Sequence, residues 1–408
     1  MSKEHNQIGA QDFLSPLQLP DPLPAFVRAD GASYFTEDGK EYVDFNEMRV
    51  VLGQNNPAFQ QALQNALQAI TAPKNRIVPA KSELFFYLDQ ATDHAFSVIH
   101  LTASGSEAVE SAVRLAQKLT GRKEVLSFGN SIHGRTYLSS SLSGKPQRKK
   151  GYGPLAPGVI FLPYPDCLRC PMKGNHMCSF ACLKMASEIY EVASAQDACA
   201  IIVEPYQGSG VVIPPTGYLK KLQVWAKERG MLFIVDEIQS GMGRTGSMFR
   251  YQAEGLMPDI LLTGKALGNG MHIAAVLSRV PLSREHLHVF SGGSGDDPVA
   301  CAAACEVFRQ LDHGLLSHVQ EVGRLLAFGL STLRGNSSIL QCRSCGLAAA
   351  IVFKDAALCA QVHNSLIRRG YLTGMQDNIL FLKPPYVIST QQLSGFLDAL
   401  RQELAKVS

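Results

Sequence analysis

The apolar positions of this 408-residue chain follow two periods that alternate along its length. From Ser106 to Leu119, Ala108, Val109, Ala112, Val113, Leu115 and Ala116 recur mostly at three- and four-residue steps, predicting an amphipathic helix that opens right after Ser104-Gly105. Pro57 to Ile70 and a stretch near Tyr218–Arg229 have helical spacing too. Between them stand short apolar runs at Glu124–Phe128, Ala198–Val203, Met231–Val235 and Ile260–Leu262, read as buried strands. Tyr34–Phe45 reads as two short strands around an Asp-Gly type turn. Beyond Pro298, two helical stretches at roughly Val299–Leu311 and Leu315–Leu333 precede a strand-rich tail and a final helix at about Gln391–Lys406.

Alternation of buried strands and helices predicts an α/β fold with a mostly parallel sheet flanked by helices. The chain is too long for a single core, which stops growing at about 250–300 residues, so a smaller α+β domain is expected beside the large one. The expected division gives residues 55–300 to the large domain, with a cysteine-rich insertion at about 163–184, and residues 1–54 and 301–408 to the small one.

Composition narrows the class only a little. Hydrophobic residues make up 46% and charged residues 18%, and 38 basic against 35 acidic side chains leave a net charge of +3, so nothing points to a nucleic-acid partner. The polar start of the chain lacks a signal-peptide pattern, and no apolar run approaches the ~18 residues of a membrane span. A cytoplasmic protein without membrane contact is the expectation. Ten cysteines in such a compartment are thiols or metal ligands rather than disulfides.

Chemistry enters with Lys265 in a glycine-rich stretch, Thr263-Gly264-Lys265 followed by Gly268-Asn269-Gly270, and with Asp236 at the end of an apolar run 29 residues upstream. In a doubly wound sheet, ligands sit beyond the carboxyl ends of the strands, so Asp236, Gln239 and Lys265 can converge on one crevice. A lysine amine holds pyridoxal phosphate (PLP) as a Schiff base, and a carboxylate facing the pyridine nitrogen keeps the ring electron-withdrawing. Taken singly, each has an ordinary alternative: a solvated lysine, a capping aspartate. Ser104-Gly105-Ser106 opens a helix whose free amides and dipole suit a phosphate, though a plain serine cap looks the same.

Three ordered segments carry a resemblance: Glu204-Pro205-Tyr206-Gln207-Gly208, then Asp236 through Gly246, then Pro258-Asp259 with Gly264-Lys265-Ala266-Leu267-Gly268. With Ser104-Gly105-Ser106-Glu107-Ala108 and His133-Gly134-Arg135-Thr136, they resemble the class III (omega or ornithine type) aminotransferases, 4-aminobutyrate aminotransferase-like proteins among them, from about Tyr34 to the C-terminus. The resemblance implies PLP fold-type I and a homodimer with its active site at the subunit interface. Lys265 would be the Schiff-base lysine, Asp236 the partner of the pyridine nitrogen, and Gln239 a partner of the phenolic oxygen. Gly105 and Ser106 would hold the phosphate and Ile238 would pack on the ring, with Ser104, Ile132, His133 and Glu204 in the same cofactor set.

Several positions depart from the family. Ile132 replaces the usual aromatic residue, so packing replaces stacking, worth about 0.5–1.5 kcal/mol beyond burial. A threonine that the neighbouring subunit gives to the phosphate falls at Gly293, with Ser294 as the nearest hydroxyl. Ser209 and Phe381 stand where ornithine-type members have a glutamate–arginine pair that handles a substrate carboxylate. Arg49 is a candidate substrate-carboxylate ligand, with a surface salt bridge as the alternative.

Cys167, Cys170, Cys178 and Cys182 make a C-x2-C-x7-C-x3-C cluster with His176 inside it, a candidate zinc set or four free thiols. Cys342 and Cys345 form a second pair, read as packing. The function expected is PLP-dependent transamination between a small-molecule amino donor and a keto-acid acceptor. An amino-acid racemase or epimerase on the same scaffold is the alternative, followed by a phospholyase and a non-enzymatic PLP-fold subunit.

Overall fold

The computed structural model describes residues 24–69, 77–170, 178–290 and 295–406. The chain opens with three short strands, β1 (Phe26–Asp30), β2 (Ser33–Thr36) and β3 (Glu41–Asp44), followed by helices α1 (Pro57–Leu67) and α2 (Pro79–Ala91). Both helices carry proline in their first turn, where a missing N–H costs nothing, and Asn56 caps α1 through Phe59 N.

Next come β4 (Val98–Thr102), α3 (Gly105–Thr120), β5 (Glu124–Phe128), α4 (Tyr137–Leu142), β6 (Val159–Leu162), α5 (Ala181–Ala193), β7 (Ala198–Val203), α6 (Tyr218–Glu228) and β8 (Leu232–Glu237). They lead to α7 (Arg250–Ala253), β9 (Ile260–Thr263), β10 (Ala274–Ser278) and α8 (Arg284–Leu287). The last third holds α9 (Pro298–Gln310), α10 (Leu316–Ser331), β11 (Ile339–Cys345), β12 (Ala348–Phe353), α11 (Ala356–Arg368), β13 (Tyr371–Leu372), β14 (Gly374–Gln376), β15 (Ile379–Leu382) and α12 (Thr390–Ala405).

Seven strands form the central sheet in the order β4-β10-β9-β8-β7-β5-β6. Neighbours from β9 to β6 pair in parallel, whereas β10 runs antiparallel to both β9 and β4. Two four-stranded sheets flank it, β1-β2-β3-β13 and β11-β12-β15-β14, the first closing residues from both chain ends into one layer. Strands β4 and β10 and helix α2 were not legible in the apolar pattern. Val98–Thr102 has only two fully buried residues, and α2 is weakly amphipathic.

The apolar runs are continuous because successive residues enter opposite cores. In β8, Phe233 and Val235 join the core that includes Tyr218 and Leu222 of α6, while Ile234 joins the one built on Ala108, Val109 and Ala112 of α3. The same alternation sends Asp236 to the α3 side of the sheet and Glu237 to the other.

Candidate functional site

Asp236 is the penultimate residue of β8 rather than a residue beyond it, and it is almost fully buried. Its Oδ2 lies 2.7 Å from Nδ1 of the equally buried His133, and its Oδ1 accepts the Ile238 N–H at 3.1 Å. A buried carboxylate is costly without hydrogen-bond partners of this kind. His133 is fixed in turn, its backbone N–H donating to Ser143 Oγ at 3.0 Å. Nε2 of His133 and Oγ1 of Thr263 are buried with no hydrogen-bond partner among the described residues.

Lys265 opens a single 3-10 turn directly after β9, the strand beside β8. Desolvation draws its amine below the ordinary lysine value, against the opposing pull of Asp236 and Glu204. Arg135 and Arg148 lie in electrostatic reach of Lys265 and act in the same direction as desolvation. Asn269 closes the turn in the left-handed region at φ 45° and accepts the Leu52 N–H at 2.8 Å, tying the lysine loop to the segment after β3.

Glu204, just after β7, is a second buried carboxylate of the site. Burial pushes it above the usual range, and it joins two loops by accepting the N–H of Ile132 at 3.1 Å and of Gly208 at 3.0 Å. Gly208 packs directly on Gln239, since a Cβ there would lie 2.6 Å from the Gln239 amide. Gln239 accepts a hydrogen bond from Tyr206 at 3.3 Å.

The α3 N-terminus completes the site. Ser104 caps it through Glu107 N at 3.3 Å, and Glu107 reaches back to Ala103 N at 2.8 Å. The amides of Gly105 and Ser106 are among those a helix leaves without intrahelical acceptors. Ser106 Oγ accepts from Arg135 N at 3.0 Å, and a Cβ on Gly105 would come within 2.9 Å of Ile238. The site therefore gathers Ser104, Gly105, Ser106, Ile132, His133, Glu204, Asp236, Ile238, Gln239 and Lys265.

These features fit PLP: a buried Asp–His pair for a ring nitrogen, a buried amine drawn below the ordinary lysine value, a glycine-lined helix start for a phosphate, and two buried polar atoms awaiting partners. Ser294 lies outside the described residues. Arg49 is exposed and pairs with Glu47 at 3.3 Å, two residues away.

Among the described residues no three His, Cys, Asp or Glu side chains are grouped to hold an ion, and His176 lies outside them. Burial, reinforced by Cys178, pushes the Cys182 thiol up to about 11. Cys342 and Cys345 sit in β11, where Cys345 is buried and accepts from Arg250.

Sequence reasoning did not single out Lys383, which is buried just after β15 and donates to the Gly208 carbonyl at 3.0 Å. Burial, then the charges of Lys265 and Arg244, draw its amine down to about 7. The Pro384-Pro385 that follows it was visible, but its approach to the site depends on the packing of distant segments.

Comparison with known proteins accounts for this arrangement. The profile of the class-III aminotransferases matches residues 19–404. The chain belongs to the class-III aminotransferase family. An acetylornithine aminotransferase of Corynebacterium efficiens is 33% identical over 403 residues, covering 95% of this chain and 94% of that protein. A 4-aminobutyrate aminotransferase of Mycobacterium leprae is 30% identical, covering 94% and 91%. Among solved structures, the omega transaminase of Pseudomonas jessenii in complex with PMP is similar with a TM-score of 0.84 at 26% identity, over 94% of this chain and 92% of that one. As a class-III aminotransferase, the chain is an enzyme of PLP-dependent transamination with the α/β fold expected. The racemase alternative gains no support from these relatives. Among the described residues no helix is long and apolar enough to cross a membrane.

Proposed function

We propose that the cluster around Asp236 and Lys265 is the transamination site and that its substrates are a primary amine or amino acid and a keto acid. The observation that carries this reading is the buried Asp236–His133 pair at 2.7 Å, set within electrostatic reach of a desolvated Lys265. When bound, PLP supplies an aldehyde that captures the substrate amine and a ring that accepts electrons from the substrate carbon.

The protein's own groups do the rest. Lys265 Nζ, drawn below the ordinary lysine value by desolvation, takes the proton from the substrate carbon and returns it elsewhere. Asp236 would fix positive charge at the ring nitrogen, and His133 holds that carboxylate in place. When PLP is bound, the amides of Gly105 and Ser106 would hold its phosphate, Ile238 and Ile132 would pack on the ring, and Gln239 would orient its oxygen. Glu204 holds the Ile132 and Gly208 loops in register.

Residues 55–300 form the cofactor-binding domain in this reading, two chains pair as a homodimer in the cytoplasm, and Ser294 is the hydroxyl given across the interface. The relatives' donors, acetylornithine and 4-aminobutyrate, favour a terminal amine, while Ser209 and Phe381 argue against a glutamate–arginine switch.

The test is a donor and acceptor screen with product analysis by mass spectrometry, together with the colour change of the cofactor-loaded protein on adding donor. Ketone or aldehyde product is expected from at least one donor. Replacement of Lys265 by Ala should lower turnover roughly 100- to 10,000-fold. Full activity in K265A, or no colour change with any donor, would overturn the reading.

A further inference from the structure

The residues from Gln207 to Val212 form a closed loop, with Gln207 and Val212 exchanging backbone hydrogen bonds of 2.9 and 3.2 Å at its neck. Side chains from outside pin it residue by residue. Gln207 Nε2 donates to the Gly129 carbonyl at 2.7 Å, and Lys383 Nζ donates to that of Gly208 at 3.0 Å. Lys145 Nζ donates to Ser209 Oγ at 2.9 Å and Arg343 to the Gly210 carbonyl at 3.0 Å. Three consecutive residues are thus held by cations that lie far apart in the sequence. Val211 shows that the loop is held against its own preference. β-Branched and fully buried, it sits at φ 48°, an outlier that persists where surrounding structure enforces it.

The tether at Gly208 is the one that bears on the cofactor groups. Gly208 N–H donates to Glu204 Oε1 at 3.0 Å, and its carbonyl accepts from Gly210 N–H at 3.1 Å as well as from Lys383. One glycine therefore links a buried carboxylate to a buried amine. Its bare Cα packs on Gln239, since a Cβ there would lie 2.6 Å from both Oε1 and Nε2. Tyr206 Oη donates to Gln239 Oε1 at 3.3 Å, so Nε2 is the end left to donate to a ligand.

Lys383 is a costly residue to place here. It is buried, and its Nζ meets a neutral carbonyl rather than a carboxylate. Lys265 after β9 and Arg244 in the segment after β8 add like charge, opposed by Glu204 after β7. Lys265 in turn faces Asp236, Glu204, Arg135 and Arg148. A group that costs the fold stability beside a reacting centre is a mark of function.

We propose that Lys383 is a positioning residue of the transamination site: by holding the Gly208 carbonyl from the last third of the chain, it keeps the Gln239 amide in place for the cofactor's phenolic oxygen. The assignment deepens the transamination reading and rests on it.

The test uses the full-length protein. Absorption of the PLP-loaded protein is titrated with pH, and amide hydrogen exchange across residues 204–212 is followed with and without PLP. A donor placed at an anionic oxygen lowers the pKa read from the absorption band. K383M should therefore raise that midpoint by roughly 1 unit, weaken PLP binding roughly 10-fold and quicken exchange in the loop. K383R, which keeps a donor and a charge, should restore most of each. The decisive comparison is a double-mutant cycle: with Q239A already in place, K383M should move the midpoint little further, because its effect runs through Gln239. Additive shifts, an unchanged midpoint in K383M or unchanged loop exchange would overturn the assignment. A native protein with no cofactor band at all would instead sink the transamination reading, and the assignment with it.

Discussion

At the residue scale the site is a set of buried charges whose protonation is decided by neighbours. Asp236 is fixed by a histidine ring and a backbone amide, so D236N should keep the fold but lose the carboxylate proposed to face the ring nitrogen. The expected loss is roughly 100- to 1000-fold in turnover, comparable with removing one preorganised electrostatic group, measured with any donor found in the screen.

Lys383 is the opposite case, an amine whose folded pKa is drawn from 10.5 to about 7 by burial first and by Lys265 next. Because the native state binds this proton less tightly than the unfolded chain, the cost to stability is full below pH about 7. It fades as pH rises toward the unfolded value. K383M should therefore gain most over the native protein near pH 6, on the order of 3–5 kcal/mol, and least near pH 10. Urea unfolding at the two pH values checks this. A gain independent of pH would show that Lys383 is not buried as an amine under strain.

At the element scale, α3 does two jobs. Its apolar stripe of Ala108, Val109, Ala112, Val113 and Ala116 packs on the sheet, which is why its spacing was readable in the chain. Its first turn presents Gly105 and Ser106 to the site. S104A removes the oxygen that accepts Glu107 N–H and should destabilise the cofactor-free protein by about 1 kcal/mol in denaturant unfolding. β8 shows the same division of labour. Its apolar alternation was legible as Met231–Val235, but the strand continues through Asp236 and Glu237, because two carboxylates at a strand end look like a loop until their partners are known. Glu237 accepts from Ser240, Arg250 N and Tyr251 N on the far face of the sheet, partners that only the folded chain brings near.

At the scale of the whole molecule, the segment from Lys383 to Tyr386 ties the last third of the chain to the site. Lys383 N–H donates to the Phe45 carbonyl and Tyr386 N–H to that of Val51, while Tyr386 Oη donates to the Met242 carbonyl at 2.8 Å. Arg244, fully buried, donates to the Leu347 and Pro384 carbonyls and stacks over Tyr386. R244M leaves those two carbonyls without their donor and should cost roughly 2–4 kcal/mol in urea unfolding. A change near zero would mean that water replaces the guanidinium there.

The sequence by itself determined the strand–helix alternation and singled out Lys265, Asp236 and the helix start at Gly105 as candidate cofactor groups. Each of these is written in local periodicity or in short spacings around glycine. Tertiary structure alone decided that His133 buttresses Asp236 and that Lys383 reaches Gly208 across 175 residues, and among the described residues it groups no set of side chains to hold a metal. It likewise placed Lys145 and Ser209 on one cavity wall. The physical reason is range: propensity and hydrophobic period act over a few residues, whereas desolvation, charge coupling and hydrogen-bond partnership depend on which distant segments share the same space.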